Sequence, residues 1–217
     1  MKPASKIKKI RHHFGRADKK LLPLFAAMRL KPIRPEIDAS GYFGKLCREI
    51  IGQQLAGSAA RAIHGRFLKL FPKSKPTPRR VLKLSEKDLR KIGLSWAKVR
   101  YIRDLAEKVR TKKIRLEKLG SLDDETAIAE LSKVKGIGRW TAEMFLMFAL
   151  GREDIFSHGD LGLRRGLETL YGSKKTETRK HVEKIVARWA PYRSYGCLAL
   201  WHASDTAKEK KKIPEKP

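Results

Sequence analysis

Apolar residues recur along the chain at helical spacing. Phe43, Leu46, Cys47, Ile50 and Ile51 form one stripe, and Ile63, Phe67 and Leu70 form a second. Val99, Ile102, Leu105, Ala106 and Val109 make a third, and Val182, Ile185, Val186 and Trp189 a fourth. Positions three and four apart share one face of a helix, so each stripe predicts an amphipathic helix with its apolar side turned inward. No segment sustains the period-two alternation, rich in β-branched residues, that marks a strand. The interruptions at Pro72 to Pro78, Gly93, Gly120-Ser121 and Gly172-Ser173 are helix punctuation. The predicted fold is all-α. The longest apolar-rich run, Trp140 to Leu150, is too short to cross a bilayer and carries Glu143, so it reads as a buried helix and no membrane span is expected.

Charge changes the picture most. Lys and Arg number 51 against 23 Asp and Glu, a net charge of +28, which favours a polyanionic partner and makes nucleic acid the first suspect. Hydrophobic residues are still 41% of the 217, enough for a buried core, so the charge decorates a folded protein. The segments Met1 to Lys9 and Ala207 to Pro217 are lysine-rich and read as solvated basic tails. The N-terminus has the positive charge of a signal peptide but lacks the apolar stretch that must follow, so an intracellular place, cytoplasm or nucleoid, is expected. Two cysteines, Cys47 and Cys197, cannot supply an iron-sulfur cluster, an all-cysteine zinc site or a disulfide framework. Cys47 sits in an apolar stripe and reads as core. His12, His13 and His64 show no ligand spacing and read as surface or packing residues.

The segment Leu131 to Leu150 reads as two helices joined by the tight turn Lys135-Gly136-Ile137-Gly138. Asp123 or Asp124 would cap the first helix, and the second would start at Arg139 or Trp140. The glycines permit unusual backbone angles and close approach of a ligand, while Ile137 plugs the core. The amides of Gly138, Arg139 and Trp140 then point out of a helix N-terminus, which suits a phosphate oxygen, and Lys135 and Arg139 add charge beside it. A bare G-x-G would more simply turn the chain; the excess positive charge favours the phosphate reading. Such a hairpin contacts backbone and carries no chemistry. Farther on, Asp160 reads as the N-cap of a helix beginning at Leu161. A carboxylate is also costly beside phosphates unless positive charge develops there, so both roles are open.

Taken in order, Ile51-Gly52-Gln53-Gln54-Leu55, Gly93-Leu94-Ser95 with Lys98, Gly136-Ile137-Gly138-Arg139-Trp140-Thr141-Ala142, Gly159-Asp160-Leu161, and Pro191-Tyr192-Arg193-Ser194-Tyr195 leading to Leu200-Trp201 resemble the helix-hairpin-helix DNA glycosylases. The resemblance is to the 3-methyladenine DNA glycosylase II branch and spans nearly the whole folded chain. It implies a two-lobed all-α body with an active cleft between the lobes and no N-terminal β domain. A middle lobe would run over 42–152 and contain the hairpin at 131–150, while 10–41 and 153–206 would form the other, between tails at 1–9 and 207–217.

By the same resemblance, Gln54 is the minor-groove wedge, with Gln53 and Leu55 beside it, and fills the gap left by a flipped nucleotide; the simpler role open to Gln53 and Gln54 is to cap or turn the helix end. Asp160 is the catalytic carboxylate facing the sugar. Trp140, Met144, Trp201 and Tyr195 line the base pocket, with core packing the simpler reading for Tyr195. Lys135, Gly136, Gly138 and Arg139 hold the DNA backbone. His158 is a supporting or DNA-contact residue. Bifunctional members of the superfamily carry a nucleophilic lysine immediately after the turn, where this chain has Trp140, so no Schiff base with the sugar is expected. The implied activity is monofunctional hydrolysis of alkylated purines of the 3-methyladenine and 7-methylguanine type from duplex DNA, leaving an abasic site. Alternatives are excision of hypoxanthine or another neutral damaged base, and a noncatalytic DNA-binding protein. No cofactor is implied beyond a monovalent cation at the hairpin carbonyls. The partner is duplex DNA containing damaged bases, bound by a monomer.

Overall fold

The computed structural model describes residues 3–212, and among them every regular element is a helix. The chain opens with α1 (Pro3–Ala17) and α2 (Leu22–Ala27). It continues through α3 (Tyr42–Gly52), α4 (Gly57–Lys69), α5 (Pro78–Lys83), α6 (Glu86–Lys91), α7 (Trp96–Arg110), α8 (Asp124–Ser132) and α9 (Arg139–Phe148). It closes with α10 (Leu161–Tyr171), α11 (Ser173–Thr176), α12 (Arg179–Val186) and α13 (Arg193–Lys212). No helix among the described residues is long and apolar enough to cross a membrane.

Two compact units result: Pro35–Leu150 is one, and the described residues of Met1–Arg34 and Gly151–Pro217 form the other. The first join lies ahead of the expected 41–42 boundary. Residues just after Pro35 are tied into the continuous unit, where Glu36 N donates to Phe148 O at 3.2 Å and Lys45 pairs with Glu36. The second join lies at 150–151, against the 152–153 expected.

In the continuous unit the predicted stripes face inward. Phe43, Leu46, Cys47, Ile50 and Ile51 of α3 are buried, as are Val99, Ile102, Leu105 and Ala106 of α7 and Phe67 of α4. Phe145 of α9, fully buried, meets Tyr42 of α3 edge to face at 5.4 Å. Burial raises the pKa of the Cys47 thiol, so it behaves as an apolar side chain. Helix starts follow the capping rule: Ser85, Ser95 and Asp123 accept from the amides of Asp88, Lys98 and Thr126. Asp123 is thus the cap of α8, and α9 starts at Arg139.

The discontinuous unit is centred on Phe14, Phe25, Trp189 and Tyr195, all fully buried, with Phe14 and Phe25 edge to face at 4.9 Å. Trp189 belongs to a short turn after α12 and not to the helix itself. Helix α10 lies against α13 through a close backbone approach: a Cβ built on Gly166 would sit 2.3 Å from Leu200 O. The segment read as an N-terminal tail is helical from Pro3, because Ile10 and Phe14 anchor α1 in this core and Lys6 pairs with Glu153 at 2.7 Å. At the other end, α13 continues through Lys212, so the expected tail at 207–217 is helical in its first part. The rest of that tail, and Met1 and Lys2, lie outside the described residues.

Candidate active site and nucleic-acid interface

The hairpin follows from local chemistry. Helix α8 ends after Ser132, Val134 and Ile137 tuck into the core, and Ile137 N returns to Val134 O at 3.0 Å. Gly136 has φ +80, a left-handed angle, and a Cβ there would fall 2.1 Å from the Tyr101 ring. Both facts require glycine. Gly138 differs from the expectation: its φ of −90 is ordinary, and a Cβ built on it would meet nothing within 4 Å. Its small size keeps space open above the N-terminus of α9, which has no side-chain cap. Below the turn, Lys135 N donates to Asp104 Oδ2 at 2.8 Å, and Lys108 Nζ reaches the same oxygen at 2.6 Å. Partial burial pushes the Asp104 carboxyl up, but these donors outweigh it and hold it below its ordinary value of 3.8.

The Lys135 side chain is exposed, as a phosphate contact requires, but Arg139 departs from expectation. Its guanidinium donates to Glu125 Oε2 at 2.8 Å and to Glu143 Oε1 at 2.8 Å. The hydrogen bond to Glu125 leads in raising its pKa. With two carboxylates on one guanidinium, Arg139 adds little net charge beside a phosphate; its backbone amide remains at the helix start.

The proposed wedge residues separate. Gln53 is held inward: Nε2 donates to Gly136 O at 2.7 Å, so this side chain braces the hairpin and is not part of the projecting wedge. Gln54 is exposed and has φ +57, a left-handed angle unusual for a residue with a Cβ. Leu55 beside it is 38% exposed. Lys98 secures the base of this turn, donating to Ile51 O and Gln53 O at 2.7 Å each. Desolvation lowers the Lys98 pKa. In the first turn of α9, Trp140 is 46% exposed, and Met144, one turn on, is buried.

In the discontinuous unit, Asp160 caps α10 as the local sequence predicts. It is 8% exposed; Oδ1 accepts Leu163 N at 2.8 Å and Trp201 Nε1 at 3.0 Å. Gly162 makes room for that arrangement, since a Cβ there would lie 2.8 Å from Trp201 Cδ1 and 3.0 Å from Asp160 Oδ1. Asp160 also lines a cavity of about 360 Å³ with Phe156, Leu163 and Val182. His158, on the same cavity, pairs through Nε2 with Glu183 at 2.9 Å. Tyr195 follows the core-packing reading and not the pocket one: it is fully buried, its hydroxyl donating to Glu153 and accepting Ile33 N at 3.0 Å. Desolvation leads in raising its pKa, and no ring face is left for a base.

A model of the HhH-GPD superfamily base excision DNA repair proteins matches residues 47–191. DNA-3-methyladenine glycosylase 1 of Schizosaccharomyces pombe is 33% identical over 176 residues, spanning 80% of this chain and 77% of the relative. This chain belongs to the HhH-GPD superfamily. Within it, the chain falls in the 3-methyladenine DNA glycosylase branch. The crystal structure of a DNA-3-methyladenine glycosidase from Bacillus halodurans superposes with a TM-score of 0.78 at 34% identity, covering 91% of this chain and 89% of that one. The Schizosaccharomyces pombe 3-methyladenine DNA glycosylase in complex with abasic DNA gives 0.77 at 29% identity, covering 96% and 99%. Against this family background, the residues that sequence reasoning missed are supporting ones: Gln53 as a brace, Asp104 under the turn and Glu125 on Arg139. Each acts through a partner distant in sequence, for which local patterning holds no signal. Among the described residues no cluster of His, Cys, Asp and Glu could hold a metal ion.

Proposed function

We propose that this protein is a monofunctional DNA glycosylase that hydrolyses the N-glycosidic bond of alkylated purines of the 3-methyladenine and 7-methylguanine type in duplex DNA. The observation that carries the reading is Asp160: a nearly buried carboxylate, oriented by Leu163 N and Trp201 Nε1, in a chain of net charge +28.

The damaged nucleotide is turned out of the helix so that its sugar carbon becomes accessible. As the bond from that carbon to the base nitrogen breaks, its electron pair leaves with the base and positive charge grows on the sugar. A carboxylate ~4 Å away, at an effective dielectric of about 20, stabilises that charge by about 4 kcal/mol, roughly a thousandfold in rate. Orientation by two N–H donors means little reorganisation is needed at the moment of reaction. Water then adds to the sugar carbon and gives up a proton, leaving an abasic site. Alkylation at N3 or N7 makes the purine cationic, so the base departs neutral. Aromatic faces attract such a cation by about 0.5 to 2 kcal/mol, which suits the exposed ring of Trp140 and the part-buried ring of Trp201. Trp140 has no amine, so it forms no Schiff base and the strand stays intact.

DNA is held by the hairpin, where the Gly138 opening, the start of α9 and the Lys135 side chain receive a phosphate. A monovalent cation, implied by the family resemblance alone, would sit at main-chain carbonyls of the turn and add charge there; no step of the excision passes through it. Gln54, with Leu55, is the side chain inserted into the minor groove.

A panel of duplexes carrying 3-methyladenine, 7-methylguanine, hypoxanthine or undamaged purines tests the reading. Strand breaks only after alkali, and only with the alkylated bases, are expected. Breaks before alkali would refute the monofunctional mechanism, preference for hypoxanthine would refute the substrate, and excision of none would refute the activity.

A further inference from the structure

Helix α1 carries a stripe of basic residues that no step above uses. Lys8, Lys9, His12 and Arg16 recur at helical spacing on the side opposite the buried Ile10 and Phe14. With Arg188 and Tyr192 on the facing wall, they line a groove of about 1070 Å³. No acid is among the residues that line it. Arg188 is held from behind: its guanidinium lies 3.5 Å from Oδ2 of buried Asp18, which also accepts Tyr171 Oη at 2.8 Å and Trp189 Nε1 at 3.1 Å. The Tyr192 ring is set by an edge-to-face contact with His13 at 5.3 Å. Nε2 of His13, which also lines the groove, is buried without a hydrogen-bond partner among the described residues.

Crowding like charges with no carboxylate between them raises the free energy of the protein alone, and a polyanion relieves it. From Lys8 to Arg16 the stripe rises about 12 Å at 1.5 Å per residue, long enough to meet more than one phosphate of a strand. An aromatic ring beside a cationic track is the combination that accommodates nucleic acid without reading its sequence.

We propose that this groove is a second phosphodiester-binding site, distinct from the hairpin, that keeps the protein on undamaged DNA. The proposal rests on the reading that the partner is duplex DNA. It adds affinity through counterion release, independent of sequence and of the excision step.

The test compares wild type with a Lys8→Ala, Lys9→Ala, Arg16→Ala triple variant on an undamaged duplex across a salt series. Each lost phosphate contact reduces the slope of log affinity against log salt by about 0.9, so a slope shallower by roughly 2 to 3 is expected, with affinity at low salt down at least about tenfold. Single-turnover excision at saturating lesion DNA should match wild type. Unchanged affinity and slope would overturn the proposal, as would loss of excision at saturation. In the wild-type protein, where folding of a variant plays no part, duplex DNA should slow acetylation of Lys8 and Lys9; equal labelling with and without DNA also overturns it. A wild type that excises no lesion overturns the glycosylase reading instead, and the binding comparison still decides the groove.

Discussion

Trp201 and Asp160 are joined by a 3.0 Å hydrogen bond from indole to carboxylate, across the close packing of α10 on α13. The same oxygen accepts the Leu163 amide, so one carboxylate both caps the start of a helix and is aimed by an aromatic side chain. Replacing it with an isosteric amide separates these roles. Asp160→Asn keeps an oxygen for the cap, since asparagine caps about as well as aspartate, but removes the negative charge. Excision should fall by about a thousandfold or more in single-turnover assays while duplex affinity stays within about twofold. Full activity in this variant would remove the proposed mechanism.

Trp201→Phe tests the aiming. The ring is largely retained and the donor is lost; a hydrogen bond to a charged group contributes about 1.5 to 3 kcal/mol, so the excision rate should drop about tenfold to a hundredfold. Affinity for an abasic-site duplex should be unaffected. A rate equal to wild type would show that the carboxylate holds its orientation without the indole.

The two hairpin glycines should respond in opposite ways. Gly136→Ala meets the Tyr101 ring and a left-handed backbone angle, and should lower stability by at least about 1 to 3 kcal/mol in denaturant titrations. Gly138→Ala should melt like wild type, because the added methyl meets no neighbour, yet bind duplex DNA several-fold more weakly, because it would stand where the proposed phosphate sits. Unchanged affinity would refute the hairpin's role.

Acid should loosen the turn from beneath. The Asp104 carboxyl sits below its ordinary 3.8, so its contribution is fully present above that value and fades as pH falls below it toward the lowered pKa. Amide exchange of Lys135, corrected for intrinsic rates, should therefore become less protected below about pH 4. In Asp104→Asn, where nothing titrates at that position, protection should be lower throughout and flatter with pH.

Lys98→Met should free the turn that presents Gln54. Two carbonyls lose their donor, at about 1 to 3 kcal/mol for each buried group left unsatisfied. Lower thermal stability is expected, with slower extrusion of the damaged base, read by a fluorescent base analogue. A wild-type extrusion rate would show that Gln54 holds its conformation without this support.

Legibility in the sequence followed the range of the interactions. The cap at Asp123, the helix start at Arg139 and the cap at Asp160 depend on neighbours within four residues, and periodicity with cap chemistry placed the first two to within one residue and the third outright. Arg139 read as a phosphate ligand because the nearby residues show its charge but not Glu125, which α8 brings alongside. Gln53 read as a wedge beside Gln54 for the same reason: its partner, the Gly136 carbonyl, is far along the chain. Tyr195 carries no local sign that Glu153 and Ile33 occupy its hydroxyl. The N-terminal helix was hidden by composition, since its many lysines obscure an apolar face reduced to Ile10 and Phe14.

The open face above Gly138 makes grip and robustness separable properties of this molecule. A methyl group added there meets no neighbour, so a survey that ranks variants by melting temperature would pass it as neutral. On the role proposed for the hairpin, selection acting at that one site would weaken or restore contact with the genome while leaving the scaffold's own integrity untouched.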